Sequence, residues 1–400
     1  MKTSAALLAL LTVAACGDDH PKMQEMPDAG IDAPPPWAEA TPTDMPQLID
    51  LGGPVLAAPK IQPIFFANDA LQPQIEQFLG QLATSPYWQA AAAEYGVGAP
   101  AVLPSIVTMD APPATDNDVQ TWIVAHAPNP DPNTIYTIFL GDGVVVTGQD
   151  GNSCEAYGAY HDEATGSGNA PLVYALVPRC DPSPQFDHAQ TKLDELTIST
   201  SHELLEASTD PRVETAPAYG DVDDDHAILA IVPGAEDGDL CEDIDSSYVK
   251  GVGDFMVQRT WSNAAARAGH DPCVPAPSTP YIAAAPVFTE SVSIDGFTGT
   301  RTTKAMQLAV GASKTIEVDL FSDQMTDDYG VQVDDGAAMF GDPAELTFQW
   351  DKPLGKNGDK LHLTITRARA PAQGAPGSIF VLSTKTDSGT IAQWWGYVSQ

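Results

Sequence analysis

The chain has 400 residues, with 54 acidic side chains against 18 basic ones and a formal net charge of -36. That excess repels nucleic acid and sets it aside as a partner; it suits a soluble, exported protein. The length, less an N-terminal leader, leaves room for two domains.

The first sixteen residues read as an export signal. Lys2 supplies a positive start and Ala5 to Ala15 a short apolar core, too short to span a bilayer. Val13-Ala14-Ala15-Cys16 resembles a bacterial lipobox, in which the cysteine becomes the lipidated first residue. The expected location is the bacterial cell envelope, with membrane contact only through a lipid on Cys16. Residues 17–45 are rich in Asp, Pro and Ala, with Pro34-Pro35-Pro36 at their centre. That composition buries no core and reads as an extended tether.

The first domain is expected over residues 46–275. Lys60 to Phe66 reads as an apolar strand. Leu71 to Ala83 reads as a helix, with Leu71, Ile75, Phe78, Leu79 and Leu82 at helical spacing. Ser85-Pro-Tyr-Trp88 starts a second helix through Glu94, with proline in its first turn. Ile135 to Leu140 and Pro171 to Val177 read as buried strands, rich in β-branched and aromatic residues. Leu193 to Ser208 reads as a helix, although Ser199, Thr200 and Ser201 lower its propensity. The alternation predicts a mixed α/β, or α+β, domain.

Residues 276–286, rich in Pro, Ala and Ser, read as a linker. Beyond them the period changes to two. Met306–Val310, Thr315–Leu320, Glu345–Trp350, Lys360–Ile365, Ser378–Leu382 and Trp394–Val398 read as strands separated by Gly and Asp clusters. The pattern predicts an all-β, immunoglobulin-like sandwich over 287–400, serving as a binding or spacer module. Trp394 and Trp395, neighbours in a strand, are expected to face opposite sides, one of them the core.

Cys16 aside, Cys154, Cys180, Cys241 and Cys273 remain. An even number in an exported chain predicts two disulfides. The sequential pairing closes two local loops, and the other two pairings remain open from sequence.

The most informative stretch is His202-Glu-Leu-Leu-Glu206-Ala-Ser-Thr-Asp210-Pro211. It is close to the HExxH pattern of zinc peptidases, with a glutamate in place of the second histidine. His202 and Glu206 lie one helical turn apart on one face, so both can reach one cation. Glu203 stands where such enzymes hold the general base. A third ligand must come from elsewhere: Asp239 first, beside Cys241 and after the acidic pair Glu236-Asp237; then His161; then Asp210. Zinc is the expected cofactor. The competing reading is a helix end, with Glu206 and Asp210 bonded to backbone amides and His202 buried and neutral. Asp221-Val-Asp-Asp-Asp225 raises an irregular calcium loop, but His226 and Val232 occupy the places of the turn glycine and the final glutamate of an EF-hand. No serine sits in a Gly-x-Ser-x-Gly elbow. Glu203 and Glu206 could also serve as a glycosidase-like carboxyl pair.

The first domain resembles the EXORDIUM-like, phosphate-induced protein family of plants and its bacterial relatives. The resemblance rests on ordered segments over residues 55 to 275: Ile64 to Asp69 with Phe78-Leu79; Ser85 to Trp88 with Glu94-Tyr95; Cys154 with Ala159-Tyr-His161; and Ser201 to Pro211. Gly238-Asp-Leu-Cys241, Val257-Gln258 and Trp261-Ser-Asn263 continue the order. The family is associated with extracellular, growth-related roles, so the resemblance implies export and domain identity. Together these readings predict a monomeric, exported metal-dependent hydrolase with a peptide substrate. The alternative is a non-enzymatic envelope module binding a glycan or protein partner.

Overall fold

The computed structural model describes residues 39–40, 44–149, 151–232, 234–296, 299–372, 375, 377–387 and 389–400. The signal peptide, Cys16 and nearly all of the expected tether lie outside the described residues. At the end of that tether, Met45 is buried in the main core.

The chain is mixed α and β, with its C-terminal part mostly β. The first part is organised by strand alternation. In β1 (Lys60–Phe66), Ile61 and Phe65 face one side of a sheet, while Ile64 and Phe66 face the other. Helices α1 (Gln72–Leu82) and α2 (Pro86–Ala92) follow, the second capped by the Ser85 hydroxyl accepting the Trp88 N–H. Two short strands, β2 (Ala101–Val102) and β3 (Ile106–Thr108), pair in parallel with successive halves of β1. A Thr115–Asp118 capping box opens α3 (Asp116–His126). Then come β4 (Thr134–Phe139), β5 (Tyr160–Thr165), β6 (Pro171–Val177) and α4 (Lys192–Thr209).

The sheet runs β2-β1-β4-β6-β5, with β3 on β1; β5 is antiparallel to β6, and the other pairings are parallel. Residues Val173, Ala175 and Val177 pack under α1, α2 and α4, while Leu172, Tyr174 and Leu176 pack under α3. Burial on both faces explains why these strands read as continuous apolar runs. The polar β5 has no such run, being the outer strand.

The chain continues through the hairpin β7 (Tyr248–Val252) and β8 (Phe255–Gln258), then β9 (Thr260–Trp261), α5 (Asn263–Arg267) and β10 (Cys273–Val274). Disulfides join Cys154 to Cys180 and Cys241 to Cys273, the sequential pairing. Such bonds persist in oxidising compartments, in keeping with an extracellular protein.

In the C-terminal part, β11 (Ile282–Val287), β12 (Glu290–Gly296), β13 (Gly299–Gln307), β14 (Ser313–Ser322) and β15 (Tyr329–Asp335) precede the helical turn α6 (Gly336–Met339). The strands β16 (Leu346–Trp350), β17 (Leu354–Gly355), β18 (Lys360–Arg367), β19 (Ser378–Thr386) and β20 (Gly389–Ser399) follow. One sheet runs β11-β14-β18-β16 and the other β12-β13-β20-β19-β15-β17. The second half of the segment read as a linker is thus the strand β11. Its Ala283, Ala284 and Ala285 are all buried, being small enough to pack on both faces.

One buried cluster takes in Leu229, Leu240 and Trp261 of the first part together with Ala283, Phe380 and Trp395 of the second. Arg301 of β13 adds hydrogen bonds to the Asp221 and Asp224 carboxylates and the Val222 carbonyl. Trp394 and Trp395 are both buried, where one was expected to be. One face of β20 meets its own core, and the other meets the first part, where the His226 ring lies 5.7 Å from that of Trp394. No helix among the described residues is long and apolar enough to cross a membrane.

Candidate metal centre

Helix α4 carries the central residues. A Thr191–Asp194 capping box starts it, and Leu196, Leu204, Leu205 and Ala207 bury its inner face against the sheet. The serines and threonines do not break it. Thr200, Ser201 and Ser208 turn their hydroxyls back to the carbonyls of Leu196, Ile198 and Leu204, so their polar atoms are satisfied within the helix. His202, Glu203 and Glu206 are left on a face that opens into a cavity of about 660 Å³.

His202 is oriented by Gln258 at the end of β8. The Gln258 amide donates from Nε2 to the Gly238 carbonyl at 2.7 Å, so its Oε1 accepts from His202 Nδ1 at 3.0 Å. In the neutral ring this contact keeps the proton on Nδ1 and leaves Nε2, which faces Glu206 Oε2 at 3.0 Å, as the nitrogen open to a cation. The other oxygen of Glu206, Oε1, accepts the backbone N–H groups of Gly238 and Asp239, each at 3.1 Å. The chain can pass this close because residue 238 is glycine. A Cβ there would lie 2.6 Å from Glu206 Oε1 and 2.8 Å from His202 Nδ1.

His161, on β5, faces the same cavity from the sheet edge. Its Nδ1 lies 3.3 Å from Glu203 Oε2 and 3.7 Å from Glu206 Oε2. Its Nε2 donates to the Asp210 carbonyl at 3.3 Å and lies 3.4 Å from Glu236 Oε1, a buried oxygen with no hydrogen bond of its own. Asp239 brings Oδ1 to 3.8 Å from His202 Nε2. The expected residues His202, Glu203, Glu206, His161 and Asp239 are therefore together. Asp210 contributes its carbonyl only, because its carboxylate turns away to accept the Ala218 N–H at 2.8 Å. Glu236 and Gln258 join them without having been singled out as ligands, although each stands in a segment that sequence marks, the acidic pair before Gly238 and the Val257-Gln258 segment.

The disulfides frame the cavity. Cys154–Cys180 ties the loop that leads into β5 to the chain leaving β6, and Cys241–Cys273 holds the turn carrying Asp239. With loop separations of 26 and 32 residues, each closure stabilises by about 3–4 kcal/mol.

The electrostatics show carboxylate in excess. Burial opposes protonation of His161, but Glu236, Glu203 and Glu206 outweigh it and hold the imidazole well above its ordinary 6.5. Burial likewise opposes protonation of His202, and Glu206, Glu203 and Asp239 outweigh it. Burial pushes Glu206 well up, against the pull of His202 and with the repulsion of Asp239 and Glu236. Asp239 is raised to about 6 by burial, opposed by His202 and helped by Glu236. A cation bound there would have to displace these protons. The donor types, imidazole and carboxylate, suit zinc.

The acidic loop at Asp221 to Asp225 gathers no such set. Asp221 and Asp224 face Arg301, and Asp223 accepts from the Gln47 N–H and pairs with His226.

No family model and no curated protein matches the chain. Among solved structures, domains 4 and 5 of the S-layer protein SbsC align with 36% of this chain and 80% of that one, at 9% identity and TM-score 0.18. The titin M3 domain aligns with 24% of this chain and 85% of its own, at 11% identity and TM-score 0.16. A chimeric titin Z1Z2 aligns with 29% and 92%, at 14% identity and TM-score 0.16. Likeness at this level fixes neither fold nor function.

Proposed function

We propose that this protein is an exported, lipid-anchored, metal-dependent hydrolase of zincin-like type that acts on peptides. The observation that carries the proposal is the locked pair on α4. Gln258 presents His202 Nε2 toward Glu206 Oε2 at 3.0 Å, on the wall of a large cavity. His161 and Asp239 flank that pair, and each offers a further donor.

A zinc ion held there would supply Lewis acidity toward water and a carbonyl oxygen. The chain's own residues do the rest. Glu203 takes a proton from the attacking water and returns it to the leaving amine. Gln258 keeps the His202 ring in place, and Gly238 lets the backbone hold Glu206. The outer strand β5 supports a peptide substrate. Among the described strands it pairs only with β6, and its first residues line the cavity. An extended peptide can add to that edge through main-chain hydrogen bonds.

The remaining assignments belong to the same proposal. Residues 55 to 275 are an EXORDIUM-like domain, the C-terminal part is an immunoglobulin-like sandwich acting as a spacer, and Cys16 carries the lipid. Wild type should partition into detergent and Cys16→Ser should not; equal partitioning would remove the anchor.

Elemental analysis of the purified protein tests the metal. Wild type should carry zinc and His202→Ala should lose it. A folded, metal-free wild type would instead favour a non-enzymatic module that binds a glycan or protein.

A further inference from the structure

Two sets of donor atoms overlap in the cavity. His202, Glu203 and Glu206 form one and His161, Glu206 and Glu236 the other, with the atoms of each set within 4.8 Å of one another. Glu206 belongs to both. Its Oε1 is taken by two backbone N–H groups, and its Oε2 lies 3.0 Å from His202 Nε2 and 3.7 Å from His161 Nδ1. One carboxylate oxygen is thus shared between two imidazole nitrogens that approach from different elements, α4 and β5.

We propose that the cavity binds two divalent cations bridged by Glu206: one on His202 with Asp239 beside it, the other on His161 with Glu236. The proposal rests on the cation-dependent reading above and adds the second ion.

Charge balance is the first argument. Glu203, Glu206, Glu236 and Asp239 bring four carboxylates to two imidazoles, with side-chain exposures of 7%, 3%, 20% and 24%. Among the described residues that line the cavity there is no lysine or arginine. One dication compensates two of the four charges and leaves two uncompensated in a poorly solvated place, which is costly. Two dications compensate all four.

The second argument is that both imidazoles are prepared alike. His202 Nδ1 donates to Gln258 Oε1 and His161 Nε2 donates to the Asp210 carbonyl, so each ring turns its other nitrogen toward Glu206 Oε2; Glu236 approaches His161 from the Nε2 side, its donor within 4.8 Å of those of His161 and Glu206. An acceptor behind each histidine is the usual support of a metal ligand. The third is economy. His161 and Asp239, rivals for one place in a single-ion site, each acquire an ion. Glu203, its Oε2 3.3 Å from His161 Nδ1, keeps the part of proton acceptor given to it above. Paired cations about 3.5–4 Å apart are an established arrangement for hydrolysis, clamping attacking and leaving atoms together.

The test is metal stoichiometry of the full chain, stripped with chelator and dialysed against Zn²⁺. Wild type should hold two zinc ions. His161→Ala and the volume-conserving Glu236→Gln should hold one, and Glu206→Gln should weaken both. Loading with Mn²⁺ gives an independent readout. Wild type should show an exchange-coupled pair by electron paramagnetic resonance, and His161→Ala the spectrum of an isolated ion. A single zinc in wild type, unaffected by Glu236→Gln, overturns the second ion and leaves the single-cation reading standing. No zinc in folded wild type overturns both.

Discussion

The two parts of the molecule bury charge in different ways. In the β-rich C-terminal part the buried Asp335, Glu345 and Arg367 each have backbone partners. Asp335 accepts the N–H groups of Ala338, Glu345 and Leu346, and Arg367 donates to the carbonyls of Leu308 and Ser399. The first part also has matched pairs, Arg179 with Asp69 and Arg259 with Asp271. Around the cavity, however, carboxylates outnumber every cation. Buried charge that is matched is compensated within the fold, whereas unmatched charge lining a cavity is what a bound cation could compensate. Both sets of convergent metal donors among the described residues fall in the first part.

Reduction sharpens the comparison, because all four disulfide cysteines lie in the first part and none in the second. Replacing Cys241 and Cys273 by serine should cost about 3–4 kcal/mol in denaturant unfolding. It should also weaken metal binding, since the bond holds the Asp239 turn. A loss under about 1 kcal/mol would mean that the surrounding core fixes that turn unaided.

A smaller effect comes from the cavity rim. Burial, and then the neighbouring Asp187 carboxyl, raise Glu195 to about 8, against an ordinary 4.5. The folded chain therefore keeps a proton there that the unfolded chain has released, so between these pH values stability falls as pH rises. Glu195→Gln mimics the protonated form. Its advantage in melting temperature over wild type should grow from about pH 4.5 and level off above about pH 8. A pH-independent difference would place the proton elsewhere.

Much of this was legible in the sequence for a physical reason. Strands buried on both faces and a capped helix leave strong patterns, so Lys60–Phe66 and Pro171–Val177 match at both ends and α4 differs from its expected span by one residue at each end. Two disulfides follow from an even number of cysteines in an exported chain; of the three pairings that the sequence leaves open, the one that closes two local loops is present. Strand β5, Tyr-His-Asp-Glu-Ala-Thr, left no such pattern because it is an outer strand whose side chains serve the cavity and the α3 face. Helix α3 was also missed: only Val119 and Ile123 of it are fully buried, too few to set a clear period. The alanine-rich stretch before Val287 resembled a linker because small side chains packed on both faces look the same, in sequence, as side chains packed on neither. Within the site, the helical spacing revealed His202 and Glu206. The approach of Glu236 and Gln258 comes from tertiary contacts that no local spacing encodes.

The most direct test of the central claim is turnover by Glu203→Gln, measured on a peptide library alongside metal content. The substitution keeps the shape and removes only the proton acceptor. We expect metal content equal to wild type and hydrolysis lowered by about a hundredfold or more. Undiminished hydrolysis by that variant would contradict the account, whatever metal it carried.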